Sequence, residues 1–233
     1  CLAEMAARNE WMVLDGDRTF SRWAFCATCH QPFIGALDAE MARRKWRHYR
    51  DDNSDVRRMM LQSVAITLRK DHESDAADGL EEEATEGLAR DDPKVLLAEI
   101  TRADCLLGPN PAAALGILTA VKPRVDRCDF AHVHLSCAMT TAIALIRIDR
   151  DQEAEPITAE CVQLATEAQG PESTDALEAM ELRGVTLINV GRAREGKALL
   201  TRVLATRTRV LGADHPSNLR TKRHLDRVSD VRL

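Results

Sequence analysis

Two cysteines and a histidine near the start of the chain have a spacing that suits ligand chemistry. Cys26 and Cys29 are separated by two residues, and His30 follows directly. C-x-x-C-H is the attachment motif of c-type haem, and a C-x-x-C pair is equally one half of a tetrahedral zinc site. Haem would make this a redox protein, whereas zinc would make it a binding or structural module. The stretch from Phe25 to Phe33 leaves both open, together with a pair of unliganded thiols.

The sequence around the pair favours zinc. Covalent haem needs a second axial ligand and its own helical wrapping, and residues 1–50 hold little apolar material for that purpose. A thioredoxin-like dithiol is disfavoured because no strand–helix–strand pattern surrounds the two cysteines. We therefore predict that the pair binds Zn²⁺.

The segment from Cys1 to Phe33 resembles the second half of a RING-CH finger, the zinc domain of membrane-associated RING-CH ubiquitin ligases. Cys1 matches the sixth ligand of that finger, and C-A-T-C-H-Q-P-F matches its closing C-x-L-C-K-x-x-F. The resemblance implies that Cys1, Cys26 and Cys29 bind Zn²⁺, with His30 as a bystander. In the family two zinc ions are cross-braced, so Cys1 would serve one ion and the pair the other. The remaining ligands would lie upstream of residue 1.

The composition indicates a folded, helical protein. Of the 233 residues, 45% are hydrophobic but only 3% are aromatic, so the core must be aliphatic and rich in Ala, which favours helices. A net charge of −5 disfavours general nucleic-acid binding. The longest apolar stretch, Ala138–Ile146, is about half of what a membrane span needs. Seven scattered cysteines fit a reducing compartment, which we expect to be the cytoplasm.

A 42-residue repeat runs through the later part of the chain. Gly170 and Gly212 both follow long helical patterns and are 42 residues apart. The same shift places Arg150 on Arg192 without a gap. Fixed steps of this length indicate stacked helical hairpins, because one hairpin cannot bury its apolar stripe alone.

Small residues follow the turns of this repeat at a fixed distance. Five residues after each turn position comes an Ala or a Gly, where the first helix of a hairpin can pack close against the second. The turn positions are Asp71, Gly108, Asp149 and Gly191, and the small residues are Ala76, Ala113, Ala154 and Gly196.

The repeat resembles tetratricopeptide repeats, and more closely the 42-residue variety of kinesin light chains. R-D-Q-E-A-E-P-I, from Arg150 to Ile157, is similar to that family's G-R-Y-E-E-A-E-P-L. The segment Val210–Leu225 is similar to its V-L-G-x-D-H-P junction. The resemblance implies an all-α fold, a right-handed superhelix of helical hairpins. We expect four repeats and a capping helix over residues 53–228, a connecting helix over 36–52, and the zinc-finger remnant over 1–35.

The function expected from these segments is protein–protein interaction. The repeat array would bind a partner or substrate and present it to the RING-CH-like module, which would recruit a ubiquitin-conjugating enzyme if the finger is complete. No nucleophile elbow, P-loop or H-E-x-x-H motif occurs in the sequence, so any ligase activity would depend on scaffolding. The alternatives are a structural adaptor with a non-catalytic finger and a c-type haem protein.

Cationic side chains are expected along the concave face of the array. In the tetratricopeptide family the first helix of each hairpin lines that face, and planar guanidinium groups suit an acidic peptide. In the alternative, the same arginines pair with Glu99, Glu178 and Glu181 on adjacent helices. The residues that the register places at or near the groove are Arg69, Arg102, Arg147, Asn189, Arg220 and Arg223.

Overall fold

The computed structural model describes residues 74–212 and 215–229, together with Leu61, Val64, Ala65, Thr67 and Leu68, and in these parts of the chain the regular secondary structure is entirely helical. The eight helices of the two continuous ranges are α1 Ser74–Thr85, α2 Pro93–Leu106, α3 Pro111–Val125, α4 Ala131–Arg147, α5 Asp151–Gln169, α6 Thr174–Asn189, α7 Ala193–Leu211 and α8 Pro216–Ser229. The predicted all-α class is confirmed for this part of the chain. Within it, no helix is long and apolar enough to cross a membrane.

The chain divides into two compact units between Arg90 and Asp91. In the first unit, Ala77 of α1 packs in a small apolar cluster with Val64 and Leu68. The predicted finger at 1–35 and the connecting helix at 36–52 lie outside the described residues.

The second unit is a stack of helical hairpins. The helices of each hairpin contact each other (α2 with α3, α4 with α5, α6 with α7), and each second helix contacts the next first helix. The first helices α2, α4, α6 and α8 also contact one another in sequence, whereas no contact joins α3 to α5 or α5 to α7 in the described residues. The first helices therefore lie on the inner side of a curved stack, and the second helices lie on its outer side.

Side-chain caps begin three of the helices, α2, α3 and α6. Asp92 precedes α2, and its Oδ1 accepts from the Lys94 amide at 2.8 Å. Asn110 caps α3 and Ser173 caps α6 in the same way. A side-chain oxygen at this position satisfies an amide that has no partner within the helix.

The last two hairpins repeat their turn geometry at an interval of 42 residues. Asp149 (φ 58°) and Gly191 (φ 87°) both adopt the left-handed conformation between the two helices, which Asp tolerates and Gly adopts freely. Gly170 (φ 89°) and Gly212 (φ 88°) then end the second helices. Asp149 and Gly191 thus confirm the predicted turn position.

The predicted register is wrong by one residue in the α2–α3 hairpin. Ala113 is exposed, and Ala114 is the fully buried small residue. Gly108 does not adopt positive φ, and Pro109 lies between it and the Asn110 cap. This turn is therefore one residue longer, which moves the buried position back to the fourth residue of the helix, where Ala154 lies in α5.

Small residues bring α6 and α7 into close contact. A Cβ atom added at Gly196 would lie against the carbonyl oxygen of Gly184 and 2.7 Å from Cγ1 of Ile188. One added at Gly184 would lie 2.8 Å from Cγ of Leu200. The two helices pack backbone to backbone here, which only glycine permits at both positions.

The four later cysteines belong to the packed part of the array. Cys137 and Cys161 are fully buried, where they pack as small hydrophobic residues, and Cys105 and Cys128 are half-buried. Burial raises the pKa of the Cys161 thiol to about 12. A thiol with so high a pKa is a poor nucleophile and a poor metal ligand at neutral pH.

Candidate protein-interaction surface

A stripe of three arginines on α8 forms part of the inner side of the stack. Arg220, Arg223 and Arg227 are spaced i, i+3 and i+7, so they share one face of the helix. The 42-residue shift places them on Glu178, Glu181 and Val185 of α6 and on Ser136, Met139 and Ile143 of α4. Arg220 contacts Glu178 across the α6–α8 boundary at 3.4 Å, which fixes this stripe on the side where the first helices meet.

Arg220 donates its hydrogen bonds to carboxylates of the same chain. Its Nε donates to Oε2 of Glu181 at 2.8 Å, and its Nη2 donates to Glu181 and to Glu178. The predicted alternative to a ligand-binding role, pairing with Glu178 and Glu181, is therefore confirmed for Arg220. Arg220 therefore mainly holds α8 against α6.

A second arginine binds the Glu181 carboxylate from the neighbouring helix α7. Arg207 of α7 is 2% exposed, and its Nη1 donates to Glu181 Oε2 at 2.9 Å and to Thr221 Oγ1 at 2.8 Å. The Thr221 hydroxyl in turn donates to Glu181 Oε1 at 2.9 Å. Both oxygens of the buried carboxylate thus have donors, as a buried charge requires.

This network keeps the Glu181 carboxyl group ionised. Burial acts to raise the pKa of the Glu181 carboxyl, but hydrogen bonds and positive charge from Arg220 and Arg207 outweigh burial and lower the pKa. His224, one turn beyond Arg220, responds differently: burial lowers its pKa, Glu181 opposes this, and Arg227 and Arg220 lower it further. His224 is therefore neutral at neutral pH.

Charge is segregated between successive stretches of the array. Residues 151–189 hold nine acidic residues and one basic residue, whereas residues 192–229 hold ten basic residues and three acidic ones. Several ion pairs cross between the two stretches, including Glu155 with Arg192 and Glu172 with Arg209. Such pairs, with those of Glu178 and Glu181, engage four of the nine acidic residues of the first stretch, and they leave positive charge on α8.

Arg223 and Arg227 carry that remaining positive charge. Both are exposed, and within the described residues no carboxylate forms an ion pair with either of them. Beside the internally bonded Arg220, they present two guanidinium groups on the same side of α8. Arg223 lies at the repeat position whose equivalents, Glu181 and Met139, face the following hairpin.

The predicted groove residues have different surroundings. Arg69 lies outside the described residues. Arg102 on α2 and Arg147 at the end of α4 are exposed, and no carboxylate pairs with them in the described part of the chain. Asn189 occupies the position equivalent to Arg147 but donates to Asp151 Oδ1 at 2.7 Å. Glu99 pairs with Arg124 rather than with Arg102.

Sequence reasoning missed Arg207 and Arg227. The 42-residue alignment contained a usable signal, because Arg207 falls on Ala165, a fully buried position of the preceding repeat. An arginine at a core position requires a buried acidic partner. The adjacent stretch of chain supplies that partner as Glu181.

The predicted zinc ligands Cys1, Cys26 and Cys29 lie outside the described residues. In the part of the chain that the structure describes, no three His, Cys, Asp or Glu side chains come together as a metal site.

Stacked hairpins that present one set of helices along an inner face have the architecture of a protein-interaction scaffold. A family model described as Tetratricopeptide repeat matches residues 177–217, which span most of α6, all of α7 and the start of α8. The chain therefore carries a tetratricopeptide-type repeat where the 42-residue pattern is clearest. Comparison with curated proteins and with solved structures found no match.

Proposed function

We propose that residues 91–233 bind an acidic segment of a partner protein along the inner side of the stack. The observation that carries the proposal is the pair Arg223 and Arg227, exposed on the inner stripe of α8 and without a carboxylate among the described residues. Guanidinium groups bind carboxylates through two parallel hydrogen bonds. Arg147 on α4 and Arg102 on α2 are further exposed guanidinium groups that can bind carboxylates in the same way.

The charge balance along the array supports an acidic partner. Glu178 and Glu181, the acidic residues of the α6 stripe, are already engaged by Arg220 and Arg207. A ligand on this side would therefore meet little unpaired negative charge on α6. The apolar Met139 and Ile143 of α4 lie half-buried at the equivalent stripe, which suits a peptide with apolar as well as acidic residues.

A labelled peptide of alternating Glu and Leu residues is a direct probe of this surface. Its binding, followed by fluorescence anisotropy, should weaken steeply as salt rises, because the charges are exposed. The double variant Arg223→Glu/Arg227→Glu should lose the binding, and Arg147→Glu should lose it in the same way if the site reaches α4. The helical circular-dichroism signal should be unchanged in both variants.

Lys222→Glu is the matched control, since Lys222 is exposed on α8 but lies about 130° around the helix from the arginine stripe. It should bind the peptide almost as the wild type does. Equal loss in all the variants would indicate a non-specific charge effect. Normal binding by the double variant would show that α8 is not the site.

We propose further that the array is of the kinesin light chain type and is joined to a zinc-binding, RING-CH-like module. The 42-residue turns at Asp149 and Gly191 support the first point, and the spacing of Cys1, Cys26 and Cys29 supports the second. If the upstream ligands exist in the parent protein, the array would present its partner to a ubiquitin-conjugating enzyme. Otherwise the finger would be a structural element of an adaptor.

Elemental analysis tests the zinc proposal. A longer chain that restores the upstream ligands should hold two zinc ions, and the change Cys26→Ser/Cys29→Ser should leave one. The matching change at Cys105 and Cys128, which lie half-buried in the array, should leave both. Zinc-free protein, or a Soret band that indicates haem, would refute the proposal.

A further inference from the structure

The outer helices α5 and α7 carry opposite charges at equivalent positions. Glu160 of α5 and Arg202 of α7 are 42 residues apart, and both are exposed. Within the described residues, no cation forms an ion pair with Glu160 and no carboxylate forms one with Arg202. The Arg202 guanidinium donates to the sulfur of Met180 at 3.9 Å.

Most other positions on these two outer faces are neutral or already paired. Two further exposed charges follow the same division: Glu167 on α5 accepts from the neutral Gln163 amide at 2.9 Å, and Arg194 lies at the start of α7. Glu153 and Glu195 each form two hydrogen bonds with the arginine three residues before them. Arg209 pairs with Glu172. Lys122 on α3 pairs with Asp126, and its charge also attracts the Glu160 carboxylate, although the two form no ion pair. The uncharged exposed positions on the two faces are Pro156 and Gln163 on α5 and Ala198 and Ala205 on α7. The uncommitted charges therefore alternate in sign from α5 to α7.

We propose that this outer face binds a second copy of the chain. A two-fold axis running along the helices would lay α5 of one copy on α7 of the other, in parallel and at the same height. Glu160 would then meet Arg202 of the second copy, and Arg202 would meet Glu160 of the second copy. The contact is isologous, so the charge complementarity occurs twice.

The alternating charges select this arrangement over the other face-to-face pairing. A two-fold axis perpendicular to the helices would place α5 on α5 and bring the two Glu160 carboxylates together, which like-charge repulsion disfavours. The small side chains of Ala198 and Ala205 let the facing helix approach. Since the charged pairs remain near solvent, the dimer should be weak and sensitive to salt.

Sedimentation equilibrium of the full chain, at low and at physiological salt, tests the proposal. The wild type should show a monomer–dimer equilibrium that shifts towards monomer as salt rises. Arg202→Glu should raise the dimer dissociation constant by about tenfold or more, because it places like charges opposite each other. Glu160→Arg should do the same, and Arg202→Gln should have a smaller effect.

The charge swap Glu160→Arg/Arg202→Glu is the decisive variant, because it restores opposite charges across the two-fold axis. It should recover dimerisation to within about threefold of the wild type. Lys222→Glu changes the net charge as Arg202→Glu does, and it should leave the equilibrium unchanged. A wild type that stays monomeric at low salt, or a folded swap variant that fails to recover, would overturn the proposal.

Discussion

Two helix–helix junctions occupy equivalent positions of the 42-residue repeat, but one is apolar and the other is ionic. Where α5 meets α6, the contact is made by Ala165, Ala176 and Ala179, with Met139 packed beside them. A shift of 42 residues converts these four positions to Arg207, Asn218, Thr221 and Glu181 at the junction of α7 with α8, and all four are buried. The repeat backbone therefore accepts either an apolar contact or a hydrogen-bonded ionic one at the same place.

The difference shows what each junction does. Apolar packing at α5–α6 is non-directional and joins two full repeats. The ionic junction holds α8 in one orientation, since Glu181 binds groups from both α7 and α8. The far face of α8 supports a capping role: Lys222 and Asp226 are exposed where Ala138 and Ala142 are buried in α4. A charged outer face is what the last element of a stack requires.

Removal of Arg207 should produce the largest effect. Arg207→Ala would leave the Glu181 carboxylate, whose side chain is 5% exposed, with an uncompensated buried charge. Breaking a buried pair in this way lowers the free energy of unfolding by roughly 3–5 kcal/mol. Urea unfolding followed by circular dichroism would measure it.

Arg209→Ala on the same helix is the control, because its pair with Glu172 is exposed on both sides. Exposed pairs contribute about 0–1 kcal/mol. If the two variants lost similar amounts of stability, the ionic junction would not be the element that holds α8.

Acid should weaken the same junction, by less than the loss of Arg207. Because the pKa of Glu181 is lowered in the folded state, its stabilisation is fully present above the unfolded value, about 4.3, and is lost as pH falls through the folded pKa. The pKa of His224 is lowered too, so its contribution begins to fall as pH drops below its unfolded value, about 6.5.

Unfolding free energies measured between pH 7 and pH 3 should therefore decline in two phases. His224→Gln should remove the upper phase and Glu181→Gln the lower one. A flat profile for the wild type would show that neither group is coupled to folding.

The sequence predicted the architecture well, because the repeat makes one pattern visible twice. The turn at Asp149 and Gly191 and the buried residue Ala154 follow from spacing alone. The predicted register of the α2–α3 hairpin is wrong by one residue, because Asn110 caps α3 and Pro111 begins it after a longer turn. Side-chain partners were harder to predict: whether Arg220 faces a ligand or Glu181 depends on distances of a few ångströms, which a register does not give.

Gly196 marks a place where the last hairpin is packed more tightly than the one before it. Ala154 occupies the equivalent position in α5 and is fully buried, but an added Cβ at Gly196 would press on the Gly184 backbone. Gly196→Ala should lower the free energy of unfolding by about 1–3 kcal/mol through overpacking, despite the better helix propensity of Ala.

Gly116→Ala in α3 is the matched change, because nothing lies within 4 Å of the added Cβ there. That variant should gain up to about 1 kcal/mol. A gain at both positions would mean that α6 and α7 can separate without loss, and the close approach would not be structural.

Conversion of the ionic junction to the apolar one should have the smallest net effect. The fourfold change Glu181→Met/Arg207→Ala/Asn218→Ala/Thr221→Ala reproduces the side chains of the α5–α6 junction. It removes the buried charges of Glu181 and Arg207 together, so no buried charge is left unpaired. Replacement of a buried ion pair by apolar residues is often neutral or stabilising, although the smaller volume at Arg207 opposes this until α8 moves closer.

We therefore expect the fourfold variant to unfold within about 2 kcal/mol of the wild type, far above Arg207→Ala alone. Arg220 would lose its main acceptor, so α8 should be held less specifically. Hydrogen exchange of the α8 amides should show that loss as faster opening at nearly unchanged global stability. If exchange in α8 stayed slow, apolar contact alone would be enough to orient the helix. The ionic junction would then not be needed to dock α8, and its role would concern the surface of that helix.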